Sequence, residues 1–243
     1  YRLDTIANSV FNERLFKNQF PYTLNELIGF SEADAALIDK VKPDVIISDF
    51  RLSAYNVAKK LSIPFINLIQ YHWYSELERE SLTPYVRLID FFGRDIVRFF
   101  QPMIIPFILS RQLKIVNAFQ MHHNQEPYDT IFDFYSDGDY VVFPDLPSLF
   151  PNAQLTNRQK FIGPLIWKNS QMEWPQEWTK NFSHFKTAYV TMGSTGSHQV
   201  VPKVISALRK KDYQVLLSSS GIQYKTQPRD GVFVSPFVPA DKV

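Results

Sequence analysis

A carboxylate and a small-residue turn are the two places where this chain has the residue types and spacing for chemistry. The carboxylate is Asp49, which closes the apolar run Asp44-Val45-Ile46-Ile47-Ser48. At that place it is suited to orient a histidine or to accept a substrate hydroxyl. It is equally suited to cap a helix over residues 52–61. The turn is Gly193-Ser194-Thr195-Gly196, between a β-prone run and a helical pattern. A strand that ends in such a turn points several N–H groups, and the positive end of a helix dipole, at one spot that suits a phosphate. No lysine follows, and the spacing is not Gly-x-Gly-x-x-Gly, so neither a P-loop nor a dinucleotide site is read here.

The remaining polar residues carry less. The five histidines are dispersed, and the adjacent pair His122 and His123 lacks the i, i+4 spacing of chelating ligands. His198 is read as a solvated helix end. His72 lies in the aromatic loop Gln70-Tyr71-His72-Trp73-Tyr74. Asp137-Gly138-Asp139 precedes a strand and contains a glycine, so it reads as a tight turn and no metal is assigned. Asn181-Phe182-Ser183 matches a glycosylation sequon and is taken as incidental.

The elements that must position these residues alternate strand and helix. Residues 31–41 show a helical pattern, with Ser31 as expected cap and Leu37, Ile38 and Val41 on one face. A buried strand is expected over 44–49, a helix over 53–61 with Tyr55, Val57, Ala58 and Leu61 inward, and a buried strand over 65–69. Strand, helix and strand within about thirty residues make a βαβ unit and hence a parallel sheet. Residues 70–123 are helical and aromatic-rich, with breaks expected at Pro102 and Pro106. The apolar stretch 99–109 is read as a buried helix pair, ahead of a membrane contact or an apolar pocket. Further strands are expected over 140–143 and 161–165. Residues 168–186 read as an interdomain connection. A second βαβ unit starts near 187, with a helix over 198–210, its inner face Val201, Val204, Ile205 and Leu208, and strands over 213–217 and 231–234.

The chain's 243 residues suffice for one large domain or two ordinary ones. The 26 basic and 24 acidic residues leave a net charge of +2, which provides no global field for nucleic acid or an anionic membrane. With no cysteine, disulfides, thiolate metal sites and a cysteine nucleophile are excluded. No signal peptide opens the chain and no uninterrupted apolar span is long enough to cross a bilayer. The chain starts at a tyrosine and stops just after a strand-like run, so a fragment of a longer, cytoplasmic protein is expected.

In combination, three stretches resemble the GT-B-fold nucleotide-sugar-dependent glycosyltransferases, the family of macrolide glycosyltransferases and UDP-glucuronosyltransferases. Lys42-Pro43-Asp44-Val45-Ile46-Ile47-Ser48-Asp49-Phe50, with Ser62-Ile63-Pro64-Phe65-Ile66-Asn67-Leu68, is similar to the family's amino-terminal domain. Phe161-Ile162-Gly163-Pro164-Leu165 resembles its segment before the linker. Ala188-Tyr189-Val190-Thr191-Met192-Gly193-Ser194, with Gly231-Val232-Phe233-Val234-Ser235-Pro236-Phe237-Val238-Pro239, resembles the donor domain up to its nucleobase loop.

The resemblance implies an α/β protein of two Rossmann-like parallel-sheet domains, the first missing its start and the second its carboxyl-terminal half. The expected boundaries are 1–168 for an acceptor-binding domain, 169–186 for a linker and 187–243 for the start of a nucleotide-sugar-binding domain. The implied activity is inverting, metal-independent transfer of a sugar from a nucleotide-sugar, expected to be a UDP-sugar, to a hydroxyl of an apolar small molecule or lipid. Asp49 matches the aspartate that orients the family's catalytic histidine, yet no histidine precedes His72. Gly193, Ser194, Thr195, Ser220, Gly221, Val238 and Pro239 match donor-binding positions, and Gln70, Tyr71, His72 and Trp73 are the expected acceptor contacts. No cofactor is implied, since the nucleotide-sugar is a co-substrate. Nucleic acid is not an expected partner, and peripheral membrane contact is compatible with the chain. The fragment alone is expected to be inactive. The alternatives are a GT-B-fold nucleotide-sugar epimerase or a non-catalytic sugar- or lipid-binding relative; the aromatic region 70–120 argues against the epimerase.

Overall fold

Pro43 and Pro64 each sit just ahead of a short β-branched run, and both runs form strands of one sheet. The computed structural model describes residues 1–17, 19–74, 91–166, 173–179, 186–193, 198–222 and 231–239. The sequon at 181–183, residues 168–171 of the expected linker, and Ser194 and Thr195 lie outside the described residues. The described chain forms two units, Tyr1–Leu165 and Ile166–Val243.

The first unit starts with helices α1 (Asn8–Phe16) and α2 (Leu24–Val41). Strand β1 (Ile46–Asp49), helix α3 (Ala54–Lys60) and strand β2 (Phe65–Leu68) follow. After the aromatic loop come the long helix α4 (Arg94–His122), the short helix α5 (Ile131–Tyr135), and strands β3 (Tyr140–Phe143) and β4 (Gln159–Phe161). The sheet order is β1-β2-β3-β4 and every pairing is parallel. The second unit contains α6 (Gln176–Thr179), β5 (Thr187–Thr191), α7 (Val201–Arg209), β6 (Gln214–Ser218) and β7 (Val232–Ser235). Its sheet, β5-β6-β7, is also entirely parallel.

Several sequence expectations change. α2 starts at Leu24, seven residues before Ser31. Its N-cap is Thr23, whose hydroxyl accepts the Glu26 N–H while the Glu26 carboxylate accepts the Thr23 N–H, a reciprocal capping box. The buried face of α2 is Leu27, Ser31, Asp34 and Ile38. Two of these four are polar, so an apolar pattern read along the chain picks up the helix late. Leu61 and Val204 are exposed, in contrast to their expected inward positions. Among the described residues β1 is an edge strand, and Ile47 is 66% exposed where a buried strand was expected. β4 stops at Phe161, since Gly163 has a positive φ and Pro164 has no N–H to continue the ladder. α4 runs unbroken through Pro102 and Pro106.

The core of the first unit has two main parts. Leu27, Val116, Phe119, Ile131 and Phe134 join α2, α4 and α5. Ile69, Tyr71, Tyr74, Val141 and Phe143 pack beside the sheet. In the second unit β6 is the central strand and is buried along its whole length. Trp178 and Val238 pack against Leu216, so a tryptophan from the stretch read as a connection is a core residue of this unit.

The capping box makes the stability of the first unit sensitive to acid. Bidentate hydrogen bonds from Arg14, at 2.5 and 3.0 Å, lead in lowering the Glu26 carboxyl from 4.5 to about 2. Because the folded value is depressed, the unfolded chain takes up the proton first, and the contribution is complete above about 4.5 and lost as pH falls through about 2. Urea midpoints of wild type and Glu26→Gln should therefore converge as the pH is lowered across that window. Thr23→Ala should cost about 1 kcal/mol at neutral pH. A wild-type–variant difference unchanged from pH 6 to 2.5 would remove this assignment.

Candidate functional site

β1 ends at Asp49, and the chain turns at Phe50 before entering α3. Phe50 takes φ 55°, a left-handed conformation that costs a bulky residue on the order of 1 kcal/mol. Three sets of contacts hold the turn. The Phe50 ring lies 5.8 Å from Trp73 and 5.2 Å from Tyr135. The Ser48 hydroxyl accepts the Arg51 N–H at 3.1 Å. The Arg51 guanidinium donates to Asp34 from Nε, at 3.2 Å to each oxygen, and from Nη2 at 2.9 Å, and its Nη1 donates to the Asp4 carbonyl at 2.7 Å. Asp34, 3% exposed on α2, also accepts the Ser53 hydroxyl at 2.6 Å.

The Asp49 side chain is exposed and makes no hydrogen bond or ion pair among the described residues. α3 has Ser53 at its N-cap and no side-chain cap bond, so the cap that competed for Asp49 in the sequence is not formed. The carboxylate opens onto a groove of about 590 Å³. Val45 and Ile47 line it from the strand side, Leu37 and Val41 from α2, and Leu3 from the amino-terminal segment. The site is thus a free carboxylate at the carboxyl end of a parallel strand, on a turn fixed from behind. In open parallel sheets this is where ligands bind.

The aromatic loop is a 3₁₀ turn, Tyr71–Trp73. Gln70 and His72 are exposed and Trp73 is half-buried. Tyr71, expected among the acceptor contacts, turns its ring into the core, 4.6 Å from Phe150, 5.0 Å from Phe143 and 5.3 Å from Phe161. Its N–H donates to the Asp145 carboxylate at 2.7 Å. Tyr71 therefore anchors the loop; Gln70 and His72 face outward, while the Trp73 ring packs on Phe50 and Tyr135.

The Asp137-Gly138-Asp139 stretch is a turn whose carboxylates point inward. Asp137 accepts hydrogen bonds from the Tyr128 hydroxyl and the Gly138 N–H. Asp139 accepts the Phe65 N–H at 2.9 Å. Burial pushes the Asp137 carboxyl above its ordinary value. His123 is likewise structural, with Nε2 3.2 Å from the Ser31 hydroxyl, and burial lowers its pKa. No group of three or more His, Cys, Asp or Glu residues positioned for a metal occurs among the described residues.

In the second unit, the parallel order places the loops after β5, β6 and β7 at the same end of the sheet. Gly193 follows β5 at φ 62°, a conformation that favours glycine, with its N–H 3.4 Å from the Thr191 hydroxyl. Ser220 and Gly221 follow β6, both with positive φ. The Ser219 N–H bonds the Ser235 carbonyl at 2.9 Å, and a Cβ on Gly221 would sit 4.0 Å from the Phe237 ring, so the loops after β6 and β7 touch. Val238 and Pro239 are buried, and Phe237 is exposed. The anchor beneath them, Trp178, was not recognised from sequence, although Trp174 and Trp178 at i, i+4 spacing near a strand were a visible signal.

Two α/β units with all-parallel sheets and loops gathered at the carboxyl ends of the strands are Rossmann-like in type. No family model matches the sequence. The chain is 24% identical over 243 residues to the PGL/p-HBAD biosynthesis rhamnosyltransferase of Mycobacterium bovis (strain BCG / Pasteur 1173P2), covering 99% of this chain and 54% of the relative. An inactive PGL/p-HBAD biosynthesis glycosyltransferase of the same organism is 26% identical over 207 residues, 85% of this chain and 56% of the relative. The chain spans about half the length of the curated relatives it matches. Among solved structures, the glycotransferase of kitacinnamycin superposes with a TM-score of 0.58 at 16% identity, covering 89% of this chain and 55% of that one. The Streptomyces sp. SF2575 glycosyltransferase SsfS6 complexed with thymidine diphosphate gives 0.52 at 15% identity, covering 97% and 52%. The chain is thus similar to GT-B glycosyltransferases in both sequence and fold, as its motifs implied.

The Asp34–Arg51 pair should dominate the stability of this site. Asp34→Ala leaves the guanidinium without its carboxylate and should cost about 3 kcal/mol, read as a lower urea midpoint. Asp34→Asn keeps the acceptor oxygen and should recover part of that loss. A midpoint unchanged in Asp34→Ala would show that the turn is held by the aromatic contacts alone.

Proposed function

We propose that the whole protein is an inverting, metal-independent glycosyltransferase that moves a sugar from a nucleotide-sugar to a hydroxyl of an apolar acceptor. The observation that carries the proposal is Asp49, a carboxylate with no partner among the described residues, at the carboxyl end of β1 and facing an open groove.

In this reading a histidine takes the acceptor's proton, and Asp49 orients it and stabilises its charged form. The acceptor oxygen attacks the anomeric carbon while the bond to the nucleoside diphosphate breaks, and the configuration inverts. In the glycosyltransferases that this chain resembles the histidine lies near the amino terminus, ahead of the strand that carries the aspartate; no histidine precedes His72 here, so the base is assigned to a residue outside this sequence. The open edge of β1, with Val45 and Ile47 exposed beside Asp49, supports delivery of that histidine by a strand added there.

The loops after β5, β6 and β7 are assigned to the donor. Gly193, with Ser194 and Thr195, would meet the diphosphate, and Ser220 and Gly221 would lie beside it. Phe237, with Val238 and Pro239 packed behind it, would face the nucleobase. Developing charge on the leaving group would be carried by backbone N–H groups and hydroxyls, with no cofactor and no metal. Gln70, His72 and Trp73 would contact the acceptor on a loop anchored by Tyr71. A UDP-sugar donor, the domain boundaries read from sequence and a cytoplasmic location with peripheral membrane contact complete the proposal. The named inactive relative keeps a non-catalytic binding role as the second reading.

The test is Asp49→Ala in the protein that carries the histidine. Turnover should fall roughly 10²- to 10⁴-fold, while affinity for the nucleoside diphosphate stays unchanged. An unchanged rate would end the assignment of Asp49. Efficient sugar transfer by the 243-residue chain alone would end that of the external histidine.

A further inference from the structure

α4 carries its apolar residues on the side away from the core. Val97, Val116 and Phe119 are buried, on one side of the helix. On the opposite side of its first half, Ile96, Phe99, Phe100, Met103 and Phe107 are all exposed, Phe99 by 79% and Met103 by 70%. At 100° per residue these five positions fall within an arc of about 100°. The exposed Phe91 and Phe92 lie just before the helix. A contiguous patch of this kind on a soluble surface marks an interaction site, whereas the sequence reading placed residues 99–109 in a buried helix pair.

Charge decides among occupants. The region 91–122 contains Arg94, Arg98, Arg111 and Lys114 against the single acid Asp95, although the whole chain is nearly balanced at 26 basic and 24 acidic residues. All four cations are exposed, and none makes an ion pair among the described residues. Arg111 and Lys114 continue the same outward side of α4 beyond the last apolar residue. At 100° per residue Arg94 and Arg98 fall on the other side of the helix from the apolar arc. A second copy packed on that arc would bring Arg111 and Lys114 against their counterparts, whereas an anionic lipid surface would satisfy them. No helix among the described residues is long and apolar enough to cross a membrane. An apolar face with flanking cations is instead the pattern of a helix lying in the headgroup region.

We propose that the first half of α4 is a membrane-docking surface. Phe99, Met103 and Phe107 enter the acyl boundary of an anionic leaflet, and Arg111 and Lys114 meet its phosphates. Fourteen residues at 1.5 Å each make the embedded stretch about 21 Å long, parallel to the surface. The proposal depends on the surface of α4 and not on the sugar-transfer reading.

The test is co-sedimentation of the 243-residue chain with sucrose-loaded vesicles. One set is phosphatidylcholine with 30% phosphatidylglycerol, and the other is phosphatidylcholine alone. Binding to the anionic set should be at least ten-fold tighter and weaken at 0.5 M salt. The triple variant Phe99→Ser, Met103→Ser, Phe107→Ser, all exposed positions, should keep the wild-type unfolding midpoint and lose binding at least ten-fold. Arg111→Glu with Lys114→Glu should abolish the preference for the anionic set. No binding by the wild type, or equal binding by the triple variant, would overturn the proposal. So would a dimer in light scattering that the triple variant makes monomeric while wild type ignores vesicles. A sugar-transfer assay that fails with the protein that carries the histidine, alongside normal vesicle binding, would leave the docking surface standing and remove only the catalytic reading.

Discussion

The ion pair between Asp34 and Arg51 organises the first unit around its candidate site. A buried pair is often no more stabilising than apolar packing, because both charges must leave water. Here Asp34 is compensated in full. Its oxygens receive the guanidinium in three contacts and the Ser53 hydroxyl in a fourth. Arg51 has an additional carbonyl partner in Asp4 and lies 5.1 Å from the centre of the Phe30 ring. One guanidinium thus ties together the amino-terminal segment, α2 and the turn between β1 and α3. What the pair provides is position: the residue two before Arg51 is Asp49.

The two units expose their strands differently, and the difference bears on what each can do. β6 has a partner on both sides and is buried throughout, so it is a rigid base for the loops at its end. Among the described residues β1 has one partner, β2, and its other edge is open beside Ile47. An open edge that is apolar invites pairing, and the groove along it leads to Asp49. The same local sequence pattern, a short β-branched run, therefore forms a closed scaffold in one unit and a receptive margin in the other.

Much of this layout was legible in the sequence. Proline and glycine bracket the short apolar runs, so the strands other than β4 were found to within a residue or two, and their parallel pairing followed; β4 was placed over 161–165 and ends at Phe161. Asp49 and the glycine turn after β5 were visible because each interrupts such a run. What was not legible depended on partners distant in sequence. Asp34 and Arg51 are 17 residues apart with no local spacing that pairs them. Whether a run such as 46–49 is central or at an edge depends on its neighbours in the sheet, which the run itself does not encode. The start of α2 was different: Thr23 and Glu26 form a readable capping box, passed over because the helix buries Ser31 and Asp34 where an apolar pattern expects leucine. α4 was split at two prolines that it absorbs. A proline within a helix frees the carbonyl four residues earlier, and on an exposed helix that carbonyl remains accessible to solvent.

The left-handed Phe50 joins these observations. Glycine would take φ 55° without strain, and a helix entry has no general need of an aromatic residue. Yet the Phe50 ring reaches Trp73 of the aromatic loop and Tyr135 at the end of α5. Strain of this kind persists only where the surroundings over-determine it. Here they do so from two directions, with aromatic rings on one side and the Asp34–Arg51 pair on the other. The carboxylate at 49 and the loop at 70–73 are therefore mechanically linked through one side chain. A shift of the loop against the Phe50 ring would be felt at Asp49 through a single residue, which couples the proposed acceptor contacts to the group that would orient the base.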